Sequence, residues 1–418
     1  MLIGQTSGYG VRGPRWGRRI LFVLGLAATL AVAYVVFELS RALPPLAVNA
    51  LAPGQVAVAG EPARLPWPKG GSGAVEVLGV GPLGASRGEK VVPLASITKL
   101  MTALVVLKRH PLAMGDTGPV VPITTGDVAA YHADLASGQS VLEVRAGERL
   151  TELQALEGLL IPSANNIADV LARWTSGSSR AFVAQMNAMA ATLGLRHTHF
   201  VEPSGIEAGD AGSALDMMRL GADALADPTI AAIVGLGEVD LPVAGIVINY
   251  DYAVGHHGII GIKTGSSSAA GGNFVFAARR RVDGRRLTVV GAVLGQRGFS
   301  QLDTALAAGQ RLAAAAFTAV RPFIVLPGHL DAVRVSAPWL DRALVARTTT
   351  QVSFFGVPGG RVQLRTLLNP ALMHSHTISA GEQLATIEVT FDGHHYARPV
   401  TAPESLPGPS LSYRLRRF

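Results

Sequence analysis

The chain has 418 residues, 49% of them hydrophobic and 16% charged; that is enough for a sizeable core and too long for one ordinary domain, so two folded parts with appendages are expected and disorder throughout is excluded. Cysteine is absent, which rules out thiolate catalysis, cysteine-based zinc sites and disulfides together. The formal net charge of +7 would suit an anionic cell wall or lipid surface, but an arginine-rich composition accounts for it without a dedicated patch, and no zinc-finger spacing, aromatic-basic RNA signature or long basic run points to nucleic acid.

At the N-terminus Arg12, Arg15, Arg18 and Arg19 precede an apolar run from Ile20 to Phe37. At about 1.5 Å per residue such a helix nearly spans a bilayer core of roughly 30 Å. Arginines before the run and few positive charges after it place residues 1–19 in the cytoplasm, make 20–38 a single-pass cell-membrane anchor and put the rest outside. A cleavable signal peptide is the competing reading, because Ala31-Val32-Ala33 resembles a small-x-small cleavage site. On either reading the body of the chain is exported. Residues 39–73, rich in Ala, Pro and Gly, read as a tether.

Folded sequence is expected from Ala74, with a strand to Val80 and a turn over Gly81–Gly88. Apolar helical periodicity follows at 97–108, 151–161, 166–174, 180–193, 214–226 and 301–320, and strand-like runs fall at 273–281 and 286–295. Strands at both ends of a helix-rich middle predict an α+β domain over 74–322, with a sheet assembled from sequence-distant pieces. From Phe323 to the end, short β-branched runs separated by Gly and Pro (Ala332 to Val335, Gln351 to Phe355, Arg361 to Leu367, Leu384 to Phe391) predict a small all-β domain. The closing residues Leu411–Phe418 alternate apolar and basic positions, as in an edge strand; an interfacial membrane contact is the alternative.

Three short motifs carry chemistry. In Ser96-Ile97-Thr98-Lys99, at the start of an apolar helical run, residues three apart share a face, so the hydroxyl and the amine can meet. A serine hydroxyl is a poor nucleophile until a base takes its proton, and a lysine is that base only when burial or nearby positive charge lowers its pKa. Ser163-Ala164-Asn165 follows a helical segment that Thr151 and Gln154 open as a capping box and Pro162 ends. An extended turn there can aim a hydroxyl and a carboxamide into one cavity. Lys263-Thr264-Gly265 combines a lysine, a hydroxyl and a glycine that lets a substrate backbone approach, a strand suited to a peptide carboxylate. Only five lysines occur in the chain, and two of them occupy these motifs.

The ordered set S-x-x-K, S-x-N and K-T-G resembles the signature of penicillin-binding proteins and serine β-lactamases. The flanking segments Pro93–Leu104, Gly158–Asn166 and His197–Gly205 resemble, within that superfamily, the D-alanyl-D-alanine carboxypeptidases, which are low-molecular-mass penicillin-binding proteins. The resemblance implies a penicillin-binding-protein-like serine transpeptidase fold. It implies Ser96 as acyl-accepting nucleophile, Lys99 as general base, and Ser163 and Asn165 lining the cleft. Lys263, Thr264, Gly265, Ser266 and Ser267 would bind substrate, with the backbone N–H groups of Ser96 and Ser266 as the oxyanion hole. It further implies peptidoglycan stem peptides ending in D-Ala-D-Ala as substrate, β-lactams as inhibitors, and no cofactor.

Two positions depart from that pattern: Ser267 stands where the family usually has threonine, and Glu202 where it usually has asparagine before proline. A D,D-endopeptidase or transpeptidase would share every named residue, a β-lactamase would add a water-activating group, and a non-catalytic wall-binding protein would not require Ser96 or Lys99. No metal is expected, since His256-His257, His374-x-His376 and His394-His395 lack ligand spacing.

Overall fold

The computed structural model describes residues 15–57, 61, 63–358, 361–391 and 394–416; Arg12, most of the expected cytoplasmic tail and the last two residues, Arg417 and Phe418, lie outside them. The N-terminal apolar run forms helix α1 (Arg15–Ser40), long and apolar enough over Trp16–Ser40 to cross a membrane. The chain divides into two compact units, one built from 57–323 with 354–360, the other, which includes α1, from 1–56, 324–353 and 361–418.

The larger unit is a helix–sheet–helix sandwich. Its sheet takes strands β1 (Ser72–Val77), β2 (Gly81–Ser86), β3 (Ile259–Ser267), β4 (Gly271–Val282) and β5 (Arg285–Gln296) in the order β3-β4-β5-β1-β2, all neighbours antiparallel. The first two strands thus join three that lie about two hundred residues later, the α+β arrangement expected. The Gly81–Ser86 stretch, expected as part of a turn, is instead the edge strand β2. Edge position accommodates Pro82 and the left-handed Gly81 and Gly84, which a central strand would not.

Alternation along β4 separates two cores. Val275 and Ala277 face a core shared with the helices that follow β2, while Phe274 and Phe276 face a second core with the last helix of the unit. The helices expected from periodicity are α2 (Thr98–Arg109), α4 (Glu152–Leu160), α5 (Asn165–Ser176), α6 (Ser179–Thr192), α7 (Ala214–Ala226) and α9 (Gln301–Ala319). Two more, α3 (Thr125–Ala136) and α8 (Pro228–Val234), were not expected. Helix α3 buries no residue fully, only Val128 and Tyr131 packing partly on the core; a reciprocal Thr124/Asp127 capping box starts it, and Arg173 pairs with Asp127 at 2.7 Å. Glycine lets helices sit close to the sheet on both faces. A Cβ at Gly221 of α7 would lie 2.6 Å from Val275, and one at Gly309 of α9 2.6 Å from Phe274.

The smaller unit is sheet-rich. Asp331–Ser336 pairs with Leu344–Arg347, and a second sheet contains Arg361–Leu368, Gln383–Phe391 and His394–Thr401. Residues 39–73 are not a simple tether: Ala47–Ala50 pairs antiparallel with Asp331–Ser336, and Gln55–Ala57 borders Arg361–Leu368. Short β-branched stretches such as Val48 lack local periodicity, so only distant partners make them strands. The tail is corrected too. Leu411–Leu415 is a short helix, α10, capped by Ser410, and it lies against α1: Tyr34 Oη donates to the Leu415 carbonyl at 3.0 Å and the Arg414 guanidinium to the Leu39 carbonyl at 2.6 Å.

Candidate active site

Ser96 sits in a single 3-10 turn, Ala95–Ile97, that runs straight into α2. Its neighbour Ala95 has φ +50°, a left-handed conformation that costs an L-residue energy and persists only where the surroundings impose it. The surroundings here are two glycines. A Cβ at Gly205 would meet the Ala95 carbonyl at 1.9 Å, and one at Gly265 the Ser96 backbone nitrogen at 2.8 Å, so the 203–205 turn and the end of β3 press on the serine's backbone from different chain segments. Asn273 fixes a third side. Its carboxamide donates to the Pro93 and Leu94 carbonyls at 3.0 and 2.8 Å and accepts from Gly295 N–H at 2.8 Å, bolting the approach to Ser96 onto β4 and β5.

One turn along α2, Lys99 is wholly buried. Its Nζ lies 3.0 Å from Ser96 Oγ, 2.6 Å from Asn165 Oδ1 and 2.7 Å from the Ser204 carbonyl. Burial, helped by the positive charge of Lys263, drives its pKa well below the ordinary lysine value; Glu202, Asp169 and Asp210 oppose the shift. A neutral amine has two N–H groups and one lone pair, and two carbonyl-type acceptors within 2.7 Å match the two N–H groups, leaving the lone pair for the serine hydroxyl.

Ser163 comes from the loop between α4 and α5, and Asn165 is the first residue of α5. The Thr151/Gln154 capping box is present in both directions. Ser163 is held at φ +62°, buried, its Oγ without a protein partner. Asn165 Nδ2 donates to Gln139 Oε1 at 2.6 Å, which turns its oxygen toward Lys99. Gln139 was not read from the sequence; nor were Asn273, Tyr250 and Leu302. The one signal for Asn273 is an amide immediately before the apolar stretch Phe274–Ala278 of β4, where asparagine is disfavoured without a specific task.

The third motif lies on β3, an edge strand of the sheet, with Lys263, Thr264, Gly265, Ser266 and Ser267 paired to Val275, Phe274, Asn273, Gly272 and Gly271. Ser96, Ser140, Ser163, Tyr250, Thr264, Gly265, Ser266 and Leu302 line one cleft, so all three motifs converge on it. Ser267 Oγ accepts from Ala270 N–H at 3.0 Å, a turn-closing role. Lys263 is buried, with Nζ donating to the Thr264 carbonyl at 3.1 Å. Burial lowers its pKa to about 8, against the pull of Asp251, whose own pKa burial raises to about 7.

Glu202, the odd residue of the sequence pattern, is half-buried beside this cleft. Its Oε2 accepts from Ser204 N–H at 2.6 Å and its Oε1 from Gly205 N–H. Asp210, buried on the far side of the turn, accepts from Val201 and Glu202 N–H at 2.6 and 3.2 Å; burial raises its pKa to about 7.

Several known proteins resemble this chain. DacB2 of Mycobacterium tuberculosis, a D-alanyl-D-alanine carboxypeptidase, is 34% identical over 213 residues, 49% of this chain and 68% of that one. A D-alanyl-D-alanine endopeptidase of Pseudomonas aeruginosa is 37% identical over 131 residues, 31% of this chain and 39% of that one. The carboxypeptidase DacC of Escherichia coli is 28% identical over 333 residues, 76% and 79% of the two chains. Among solved structures, penicillin binding protein 5 of Haemophilus influenzae superposes with TM-score 0.57 at 20% identity, covering 83% of this chain and 99% of that one. A Streptomyces DD-transpeptidase superposes with TM-score 0.51 at 24% identity, covering 63% and 100%; at these identities both likenesses show the fold alone. The sequence model of the D-alanyl-D-alanine carboxypeptidase family matches residues 83–297, just over half of the chain, and with three converging motifs on the corresponding fold, this chain belongs to that family of serine peptidases.

Proposed function

We propose that the chain is a membrane-anchored D,D-carboxypeptidase that removes the terminal D-alanine from peptidoglycan stem peptides through an acyl-enzyme on Ser96. The observation that carries the reading is the buried Lys99 amine 3.0 Å from Ser96 Oγ, whose pKa burial lowers. In this scheme the amine takes the hydroxyl proton as Oγ attacks the carbonyl carbon between the two D-alanines. The C–N bond breaks, the proton taken by Lys99 passes by way of Ser163 to the leaving D-alanine amine, and water then cleaves the ester to restore Ser96. The backbone N–H groups of Ser96 and Ser266 would stabilise the oxyanion. The open edge of β3 offers backbone groups for an extended peptide, with Lys263 and Thr264 at the substrate's terminal carboxylate. Penicillins would acylate the same serine. With α1 as the anchor, the folded units lie outside the cytoplasm.

The test is incubation with a stem pentapeptide followed by mass analysis. Loss of one D-alanine is expected. Products joined to an acceptor amine, or cleavage confined to cross-linked dimers, would instead make the chain a transpeptidase or an endopeptidase. A β-lactamase reading finds less support, because both Glu202 oxygens are taken up by backbone N–H groups of its own turn.

The role given to Lys263 has a pH signature. Its ammonium, with pKa about 8, is present below that value and lost above it, so kcat/KM for D-alanine release should fall as pH rises through about 8. Lys263→Arg, whose guanidinium stays charged, should lack that alkaline limb even if its rate is lower. A limb unchanged in the arginine variant would remove Lys263 from carboxylate recognition.

A further inference from the structure

We infer that Glu202 is a positioning residue for the Lys99 amine, acting through the single peptide unit that joins Ser204 to Gly205. The inference rests on Lys99 being the proton acceptor, as proposed above. The carbonyl of that peptide unit accepts from Lys99 Nζ at 2.7 Å, and its N–H, on the opposite edge of the same plane, donates to Glu202 Oε1. Carboxylate and amine therefore hold one rigid amide from its two ends. A planar peptide cannot turn its carbonyl without turning its N–H, so the Glu202 contact sets the direction in which Lys99 finds its acceptor. Hydrogen bonds in such a chain polarise one another, and a carboxylate at the N–H end makes the carbonyl a better acceptor.

The turn has little freedom to compensate. Oε2 of the same carboxylate holds the preceding N–H, that of Ser204, at 2.6 Å. The Pro203 carbonyl accepts from Thr102 Oγ1 of α2 at 2.6 Å. On the other side Gly205, at φ +89°, lies so close to the Ala95 carbonyl that a Cβ would fall 1.9 Å from it. A shift of this turn is thus transmitted to both Ser96 and Lys99.

Glu202 also contributes charge. The charged groups that act on Lys99 are Lys263, which lowers its pKa, and Glu202, Asp169 and Asp210, which raise it, Glu202 first among them. Loss of the Glu202 charge leaves the amine easier to deprotonate, whereas loss of its hydrogen bonds leaves it less well aimed. A carboxylate that only shaped the turn would show the second effect without the first.

The experiment measures the rate of acylation by a fluorescent penicillin against pH, using the full chain and its Glu202→Gln and Glu202→Asp variants, with thermal unfolding as the check on folding. In Glu202→Gln the acid limb should move to lower pH by roughly one unit, while the plateau falls severalfold. Glu202→Asp, which keeps the charge, should hold the limb near its original position even if the shorter side chain lowers the plateau. A plateau that falls with the limb unmoved in Glu202→Gln reduces Glu202 to a scaffold residue and overturns the inference. So does normal acylation with slowed release of the acyl group, which would place Glu202 on the deacylating water. If the unmodified enzyme shows no acid limb and Lys99→Arg acylates normally, it is the role of Lys99 that fails, and the inference falls with it.

Discussion

Ser96→Ala is expected to abolish covalent capture of a penicillin and to lower D-alanine release by at least about 10⁴-fold, the scale seen when an acyl-accepting serine is removed from a serine hydrolase. Among the serines that line the cleft, Ser96 is the one whose hydroxyl lies within 3.0 Å of a deprotonatable amine. Ser163 Oγ has no protein partner, and the Ser266 side chain is exposed, so neither has an activating base in contact. The fold should survive. The alanine deletes one half-buried oxygen whose contact is with Lys99, and the backbone around it is held independently by Asn273 and by the close approach of Gly205 and Gly265. The stability change should stay within about 1 kcal/mol. Intact-mass measurement of the penicillin complex, followed by peptide mapping, checks both points; an adduct mapped to Ser163 or Ser266 would reassign the nucleophile.

Lys99→Arg should lower acylation by at least about 10³-fold, because a guanidinium cannot give up its proton in this pH range and so cannot accept one from Ser96. It should also destabilise the chain: the Lys99 side chain is wholly buried, and a larger, permanently charged group adds strain and desolvation, a cost of about 1–3 kcal/mol from overpacking alone. Inactivity and misfolding must therefore be separated. Lys99→Met, close in shape and uncharged, leaves the Asn165 and Ser204 acceptors without their donor, a cost of about 1–3 kcal/mol; it should still fold, without the added bulk and charge of arginine, and be equally inactive. In the unaltered enzyme the pKa of Lys99 is lowered, so the competent neutral amine is lost only as pH falls through that lowered value. Acylation should rise with pH across it and then level off. Stopped-flow acylation with thermal melts on all three proteins makes the comparison, and near-normal acylation by the arginine variant would eliminate the base role.

Local chemistry made much of this protein legible from its residues alone. Ser96 and Lys99 stand three apart at the start of an apolar helix, and helical geometry alone brings their side chains to one face. Thr151 and Gln154 announce the start of α4, because a capping box is closed within four residues. The strand-like run at 273–281 announces a strand from its own residues. Each of these signals is complete within one or two turns of chain, where the interaction and its sequence pattern are the same thing.

What only the tertiary structure decided concerns partners far apart in the chain. The base role proposed for Lys99 depends on Asn165, 66 positions away, and Ser204, 105 positions away, which take up its N–H groups around a wholly buried side chain. Asn273, Gly205 and Gly265 matter for what they touch, and nothing beside them in the sequence names the Ser96 backbone as that neighbour. The strands at Ala47–Ala50 and Gln55–Ala57 were read as tether for the same reason, since a strand of three or four residues is defined by its ladder partner and not by its own periodicity. The Leu411–Leu415 helix likewise depends on α1, about 375 residues earlier in the chain. Periodicity and caps are short-range and readable one segment at a time. Register, burial and the pKa of a buried amine depend on which distant surfaces meet, and that is settled only when the whole chain has folded.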